Sequence, residues 1–153
     1  MTRPLRFCHL TTFYPPLNFG GDGIGVYRLS RELAARGHHV EVVHDADAYA
    51  LVAGGRPTPT GYPTLPGITV HTLRGLPVVG PLVTQQLGLP GLKARRIRRI
   101  LDAGRFDVLH FHNPSLIGGP GLLKYGPRDA VRLYTLFEHW LICPTHVLWK
   151  FDR

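Results

Sequence analysis

The chain has 153 residues, 44% hydrophobic and 18% charged, which suits one folded domain with a real core and excludes a disordered chain. Eighteen Lys and Arg against 10 Asp and Glu give a net charge of +8. That balance attracts anionic partners without ranking nucleic acid, lipid headgroups and phosphorylated metabolites. The two cysteines, Cys8 and Cys143, are too far apart to make a disulfide framework and read as reduced core thiols. No apolar run reaches the ~18 residues of a spanning helix, and no secretory h-region stands at the N-terminus, so a cytoplasmic protein is expected.

Leu5 to Thr12 reads as a buried strand closed by Tyr14-Pro15-Pro16. After Asn18-Phe19-Gly20-Gly21-Asp22-Gly23, helical periodicity begins, with Val26, Leu29, Ser30 and Leu33 on one face and Arg28, Arg31, Glu32 and Arg36 elsewhere. Asp22 is placed as the N-cap and Gly37 as the left-handed residue past the end. Val40 to Val43 is the second strand. A strand–helix–strand crossover of this kind implies parallel pairing.

Residues 53–67 are rich in Gly, Pro and Thr and read as a loop, and Ile68 to Leu73 as a third strand. Leu76 to Leu92 is apolar but interrupted by Pro77, Gly80, Pro81, Gly88, Pro90 and Gly91. Lys93 to Ala103 is a second helix, with Ile97, Ile100, Leu101 and Gly104 on one face and Arg95, Arg96, Arg98 and Arg99 on the other. Phe106 to Phe111 is a strand, Ser115 to Tyr125 a shorter helix weakened by glycines, and Val131 to Phe137 a last strand. The expected fold is therefore α/β: a Rossmann-like, open, mostly parallel sheet of about five strands with helices on both faces.

In such a sheet ligands bind outside the carboxyl ends of the strands. The loops to read are Thr11 to Gly25, His112-Asn113 and Glu138-His139-Trp140. Glycines admit close backbone approach, and a helix start offers free N–H groups to an anion, so Gly20, Gly21 and Asp22 are candidate phosphate-contacting residues. A ligand-free tight connection accounts for them equally well. A dinucleotide fingerprint is excluded, because the position three residues after Gly23 is Val26 and eight residues separate Thr12 from Gly21. His110 and His112 alternate onto one face. His110 reads as a core residue, and His112 is expected at the rim, where a neutral imidazole can bond a hydroxyl or move a proton. Glu138 and His139 make an acid–imidazole pair at a strand end. Cys143 and His146 have zinc-like spacing but lack two further ligands, so no metal is expected. The apolar stretch before the arginine-rich helix suggests contact with an anionic membrane, against the plainer reading of a loop packed on its own domain.

With these residues in place, the chain resembles the N-terminal domain of family 4 glycosyltransferases, which have the GT-B architecture. The resemblance rests on His9-Leu-Thr-Thr-Phe-Tyr-Pro-Pro, Gly20-Gly21, Leu33-Ala-Ala-Arg-Gly37-His38-His39-Val40, Phe106-Asp107-Val108-Leu109-His110-Phe111-His112 and Thr135-Leu-Phe-Glu-His-Trp-Leu-Ile-Cys-Pro144. It implies the acceptor-side half of a retaining transferase. A nucleotide sugar is the substrate, no cofactor or metal is held, and the acceptor is a glycan or a lipid-linked sugar. Nucleic acid is not an implied partner, and any membrane contact is peripheral, at the inner face. The Gly20-Gly21 turn closes on the donor phosphates, Asp22 and Asn113 are further substrate- or phosphate-binding candidates, and His112, Glu138 and His139 are the catalytic candidates. Relatives carry histidine where this chain has Phe137, and His139, two places on, keeps the same face. The donor-binding C-terminal domain, about 150–200 residues, has no counterpart up to Arg153, so the partner expected is that missing domain. The alternative is a non-catalytic binding or partner domain of a split transferase.

Overall fold

The computed structural model describes residues 3–58, 60–63 and 65–137. Five strands form one all-parallel sheet: β1 (Arg6–Leu10), β2 (His39–Asp45), β3 (Ile68–Leu73), β4 (Val108–Phe111) and β5 (Val131–Tyr134), in the order β3-β2-β1-β4-β5. The order reverses between β1 and β4, which places the switch point, and hence the ligand crevice, beside β1.

Helix α1 (Gly20–Ala35) covers one face of the sheet. Val26 packs there with Tyr14, Val40 and Val42, flanked by Leu33 and Ile68. Helix α4 (Ala94–Gly104) covers the other face, where Ile97 and Leu101 bury against Cys8, Leu10, Leu109 and Phe111. Each such fully buried aliphatic side chain contributes about 1.5–3 kcal/mol. Alternation in β1 and β4 explains the division. Cys8, Leu10, Leu109 and Phe111 face α4, whereas His9 and His110, paired in register, face the α1 side. The fold is thus the Rossmann-like α/β arrangement expected, with helices on both faces.

Four local expectations are corrected. First, α1 begins at Gly20, with Phe19 rather than Asp22 as N-cap; Asp22 lies in the first turn. Gly20 takes φ +72 and turns the chain into the helix three residues early. Second, α2 (Ala46–Ala53) was not anticipated. It is buried on several sides, so it carries no apolar stripe, but Asp45 caps it and accepts from the Asp47 and Ala48 N–H groups. Third, α3 (Val79–Leu87) forms inside the stretch that Gly80 and Pro81 interrupt. Both sit in its first turn, where an N–H has no helical partner and proline costs nothing. Fourth, no α-helix spans 115–125; there are turns and a 3₁₀ segment, Pro120–Lys124. This segment lies against the end of α3, with the Gly121 N–H donating to Gly88 O at 2.8 Å. A Cβ at Gly119 would stand 2.6 Å from Gly88 Cα. The glycines serve a close backbone approach that a regular helix with side chains would block.

Candidate functional site at the β1–β4 switch point

The loops after β1 and β4 are laced together. The Thr12 N–H and hydroxyl both donate to Asn113 O, at 2.8 and 2.6 Å. The Asn113 side chain then spans the crevice. Its Nδ2 donates to Asp22 Oδ2 at 3.2 Å, and its Oδ1 accepts from the Ser115 hydroxyl at 2.8 Å. Asp22, anchored also by the Gly23 N–H at 2.7 Å, keeps its carboxylate turned towards Asn113. The start of α1 is thereby fixed against the loop that follows β4, so Gly20, Gly21, Asp22, His112 and Asn113 gather at one place, as their positions in the sequence predicted.

The turn itself is open. A Cβ built on Gly21 meets nothing within 4 Å, and the same holds for Gly20. Gly23 differs: its Cβ would lie 2.0 Å from Asn18 Oδ1 and 3.0 Å from Phe13 O. Gly23 therefore serves internal packing, while Gly21 presents bare backbone at a helix N-terminus, where unpaired N–H groups and the helix dipole favour an anion.

Behind the turn lie three imidazoles. His9 Nδ1 and His112 Nε2 share a hydrogen bond of 2.9 Å, and the His110 and His112 rings are 4.0 Å apart. His110 Nε2 meets the Thr135 hydroxyl at 2.8 Å. His112 was expected at the rim; the structure buries it, leaving 2% exposed. Phe137, 6.0 Å from the His112 ring and 3.5 Å from where a Gly25 Cβ would be, lies between it and α1. Burial, reinforced by the neighbouring histidines, pulls His112 down to about 2. Burial and His110 pull His9 down to about 3. Both rings are neutral at pH 7, and His9 Nε2 and His112 Nδ1 are buried without a partner among the described residues. One ring nitrogen from each of His9, His110 and His112 lies within 4.8 Å of the other two, close enough to converge on a cation. In this arrangement, however, His9 and His112 direct facing nitrogens at each other. His9 was missed at the sequence level; its register partner His110 in the adjacent strand was the available signal.

Glu138, His139, Trp140, Cys143 and His146 lie outside the described residues. A cavity of about 580 Å³ opens over the β2–β3 edge next to α1, lined by Tyr14, Tyr27, Tyr62, His44, Thr72 and Arg74. It joins aromatic faces to a guanidinium and was likewise not anticipated, because its walls come from five separate segments.

No curated protein matches the chain. Residues 19–151 match the model of Glycosyltransferase Family 4, a span that takes in the glycine turn, Asn113, the strand of His110 and the cavity wall from Tyr27 onward. The chain belongs to glycosyltransferase family 4.

Proposed function

We propose that this domain is the acceptor-side half of a retaining glycosyltransferase that uses a nucleotide-sugar donor. The observation that carries the reading is the open Gly20-Gly21 turn, held by the Asp22–Asn113 contact at the switch point, in a chain of this family. The donor diphosphate lies against the bare amides of the turn. The acceptor sugar lies in the cavity lined by Tyr14, Tyr27 and Tyr62, where apolar ring faces suit its C–H face and Arg74 takes a polar group. His112, neutral and bonded to His9 behind Phe137, meets an acceptor hydroxyl only when Phe137 swings aside. His139, with Glu138 beside it, stands in for the histidine that relatives carry at Phe137. A donor-binding domain supplies the opposite wall of the cleft.

The test is titration of the chain with a panel of nucleotide sugars, followed by amide chemical shifts and by release of labelled sugar. Shifts should cluster at residues 20–22 and 112–113, with transfer only once a donor domain is supplied. Rapid transfer by the 153-residue chain alone would refute the half-site reading. Shifts confined to other surfaces would refute the role of the turn.

A further inference from the structure

An aromatic wall runs through the cavity over the β2–β3 edge. The Tyr62 ring meets Tyr27 edge-on at 5.6 Å between centres, Tyr27 lies 5.9 Å from Tyr14, and Tyr14 lies 6.0 Å from the His44 ring. The volume, about 580 Å³, is that of a small-molecule site rather than a surface dimple. Tyr14 stands in the loop that leads from β1 to the glycine turn, so the wall and the turn share one support.

The charge in the cavity is single and positive. Burial pushes the Tyr14 hydroxyl up to about 12, so it stays a neutral phenol. Burial, and after it the charge of Arg74, pulls His44 down to about 4, so the imidazole is neutral too. The field of Arg74 thus reaches into the cavity as far as His44. No Asp or Glu is among the described residues that line it, and the sequence has none between Ala48 and Leu101. Asp47, whose Oδ2 lies 3.5 Å from where a Gly75 Cβ would stand, is answered by Lys93 at 2.8 Å. Arg3, Arg6 and Arg132 are committed to an acid or to backbone carbonyls. Among the described residues the Arg74 guanidinium has no ion pair and no hydrogen bond. Its backbone is nonetheless fixed. Arg74 follows Leu73, the fully buried last residue of β3, and Thr72 is bonded to His44 Nε2 at 2.8 Å.

A guanidinium at one end of an aromatic wall selects its ligand. Its paired N–H donors match two oxygens of a carboxylate or phosphate, a geometry that a sugar hydroxyl does not fill. An amino sugar would bring like charge against it, and a neutral sugar would leave the one charge of the cavity to water. We infer that the acceptor sugar bound in this cavity carries an anionic group, a carboxylate or a phosphate, which Arg74 grips while Tyr14, Tyr27 and Tyr62 line the sugar ring. The anion at Arg74 deepens the acceptor reading of the cavity and, as a statement about the acceptor, rests on it.

The experiment is calorimetric titration of the full chain with glucose, glucuronate and glucose 6-phosphate, and with their galacto counterparts. Inorganic phosphate is the control, and amide shifts locate each ligand. At least one acidic sugar should bind about tenfold more tightly than its neutral parent, with shifts at residues 72–74, and added salt should narrow the difference. Preference for the uronate assigns a carboxylate, and preference for the sugar phosphate assigns a phosphate. Arg74→Gln should erase the preference and leave neutral-sugar binding and the melting temperature unchanged, because the side chain is exposed. Arg74→Lys, which keeps the charge without the fork, should retain only part of it. Tyr62→Leu should weaken all the sugars alike. No binding of any acidic sugar, equal affinity for acidic and neutral sugars, or a preference that survives Arg74→Gln overturns the proposal. Inorganic phosphate binding as tightly as the sugar phosphates shows an adventitious ion only, and displacement of the acidic sugar by a nucleotide sugar gives the cavity to the donor; either result overturns it as well. Transfer is assayed separately with a donor domain supplied. Transfer to neutral and acidic sugars alike removes the anion and keeps the transferase reading. Arg74-dependent binding with no transfer to the bound sugar keeps the anion site and removes the acceptor reading.

Discussion

At the residue scale, two glycines three positions or fewer from the same turn do opposite work, and a methyl group distinguishes them. At Gly23 a Cβ meets Asn18 Oδ1 at 2.0 Å and Phe13 O at 3.0 Å. Gly23→Ala should therefore destabilise the fold by about 1–3 kcal/mol, the usual cost of overpacking. At Gly21 a Cβ meets no protein atom within 4 Å, and alanine is the better helix former by up to about 1 kcal/mol. Gly21→Ala should keep or raise the melting temperature. If a diphosphate rests on the Gly21 amide, the same methyl intrudes on it, and nucleotide-sugar affinity should fall about tenfold, or about 1.4 kcal/mol. Calorimetric titration and thermal melts of the two variants separate the roles. Unchanged affinity in Gly21→Ala would remove the turn from the binding site.

At the element scale, what the sequence revealed follows from how each element is exposed. Helices α1 and α4 each bury one stripe against a sheet face and leave charge outside, so Val26, Ile97 and Leu101 announced them by spacing. Helix α2 is buried around Ala46, Asp47, Ala48 and Tyr49, and α3 exposes the apolar side that the spacing rule assigns to the core, so neither fitted the pattern. The gathering of Gly20, Gly21, Asp22 and Asn113 at the crevice was readable because the loops after β1 and β4 meet at the switch point of a parallel sheet. The His9–His112 bond and the Asp45–Lys93 pair join residues about a hundred and about fifty positions apart, a distance that no local pattern encodes. The latter pair makes its own prediction. Lys93 Nζ reaches both Asp45 oxygens at 2.5 and 2.6 Å and Asp47 Oδ2 at 2.8 Å, and Lys93 and Asp45 are 7 and 0% exposed. Burial pushes the Asp45 carboxyl up, while Lys93 and the α2 amides hold it down. Lys93→Met removes the only cation bonded to the Asp45–Asp47 pair among the described residues. Stability in urea should fall by about 3–5 kcal/mol. A loss under 1 kcal/mol would show that the two acids are solvated or protonated.

At the scale of the whole molecule, the +8 charge and the histidines are separate systems. The charge is the balance of Lys and Arg against Asp and Glu, whereas three buried histidines of the sheet and its rim, His9, His44 and His112, are neutral where that charge acts. His9, His44 and His112 are each at most 2% exposed, and burial draws them to about 3, 4 and 2. In the unfolded chain each titrates near 6.5. Below that value the unfolded state binds protons that the folded state refuses, so stability rises with pH. The contribution is fully present above about 6.5. It is lost as pH falls through 6.5 towards about 4, where His44 first ionises in place. The slope is about 1.4 kcal/mol per pH unit for each histidine. One unit below 6.5 the three together cost roughly 4 kcal/mol, a large share of the 5–15 kcal/mol typical of a domain. The urea midpoint should thus drop steeply between pH 7.5 and 5.5, above the range in which most carboxylates titrate. His44→Asn, which keeps a polar partner for the Thr72 hydroxyl, should remove about a third of the slope without touching the β1–β4 crevice. A midpoint flat across that interval would mean that water or solvent reaches the rings, and the shielding of His112 by Phe137 would have to be abandoned with it.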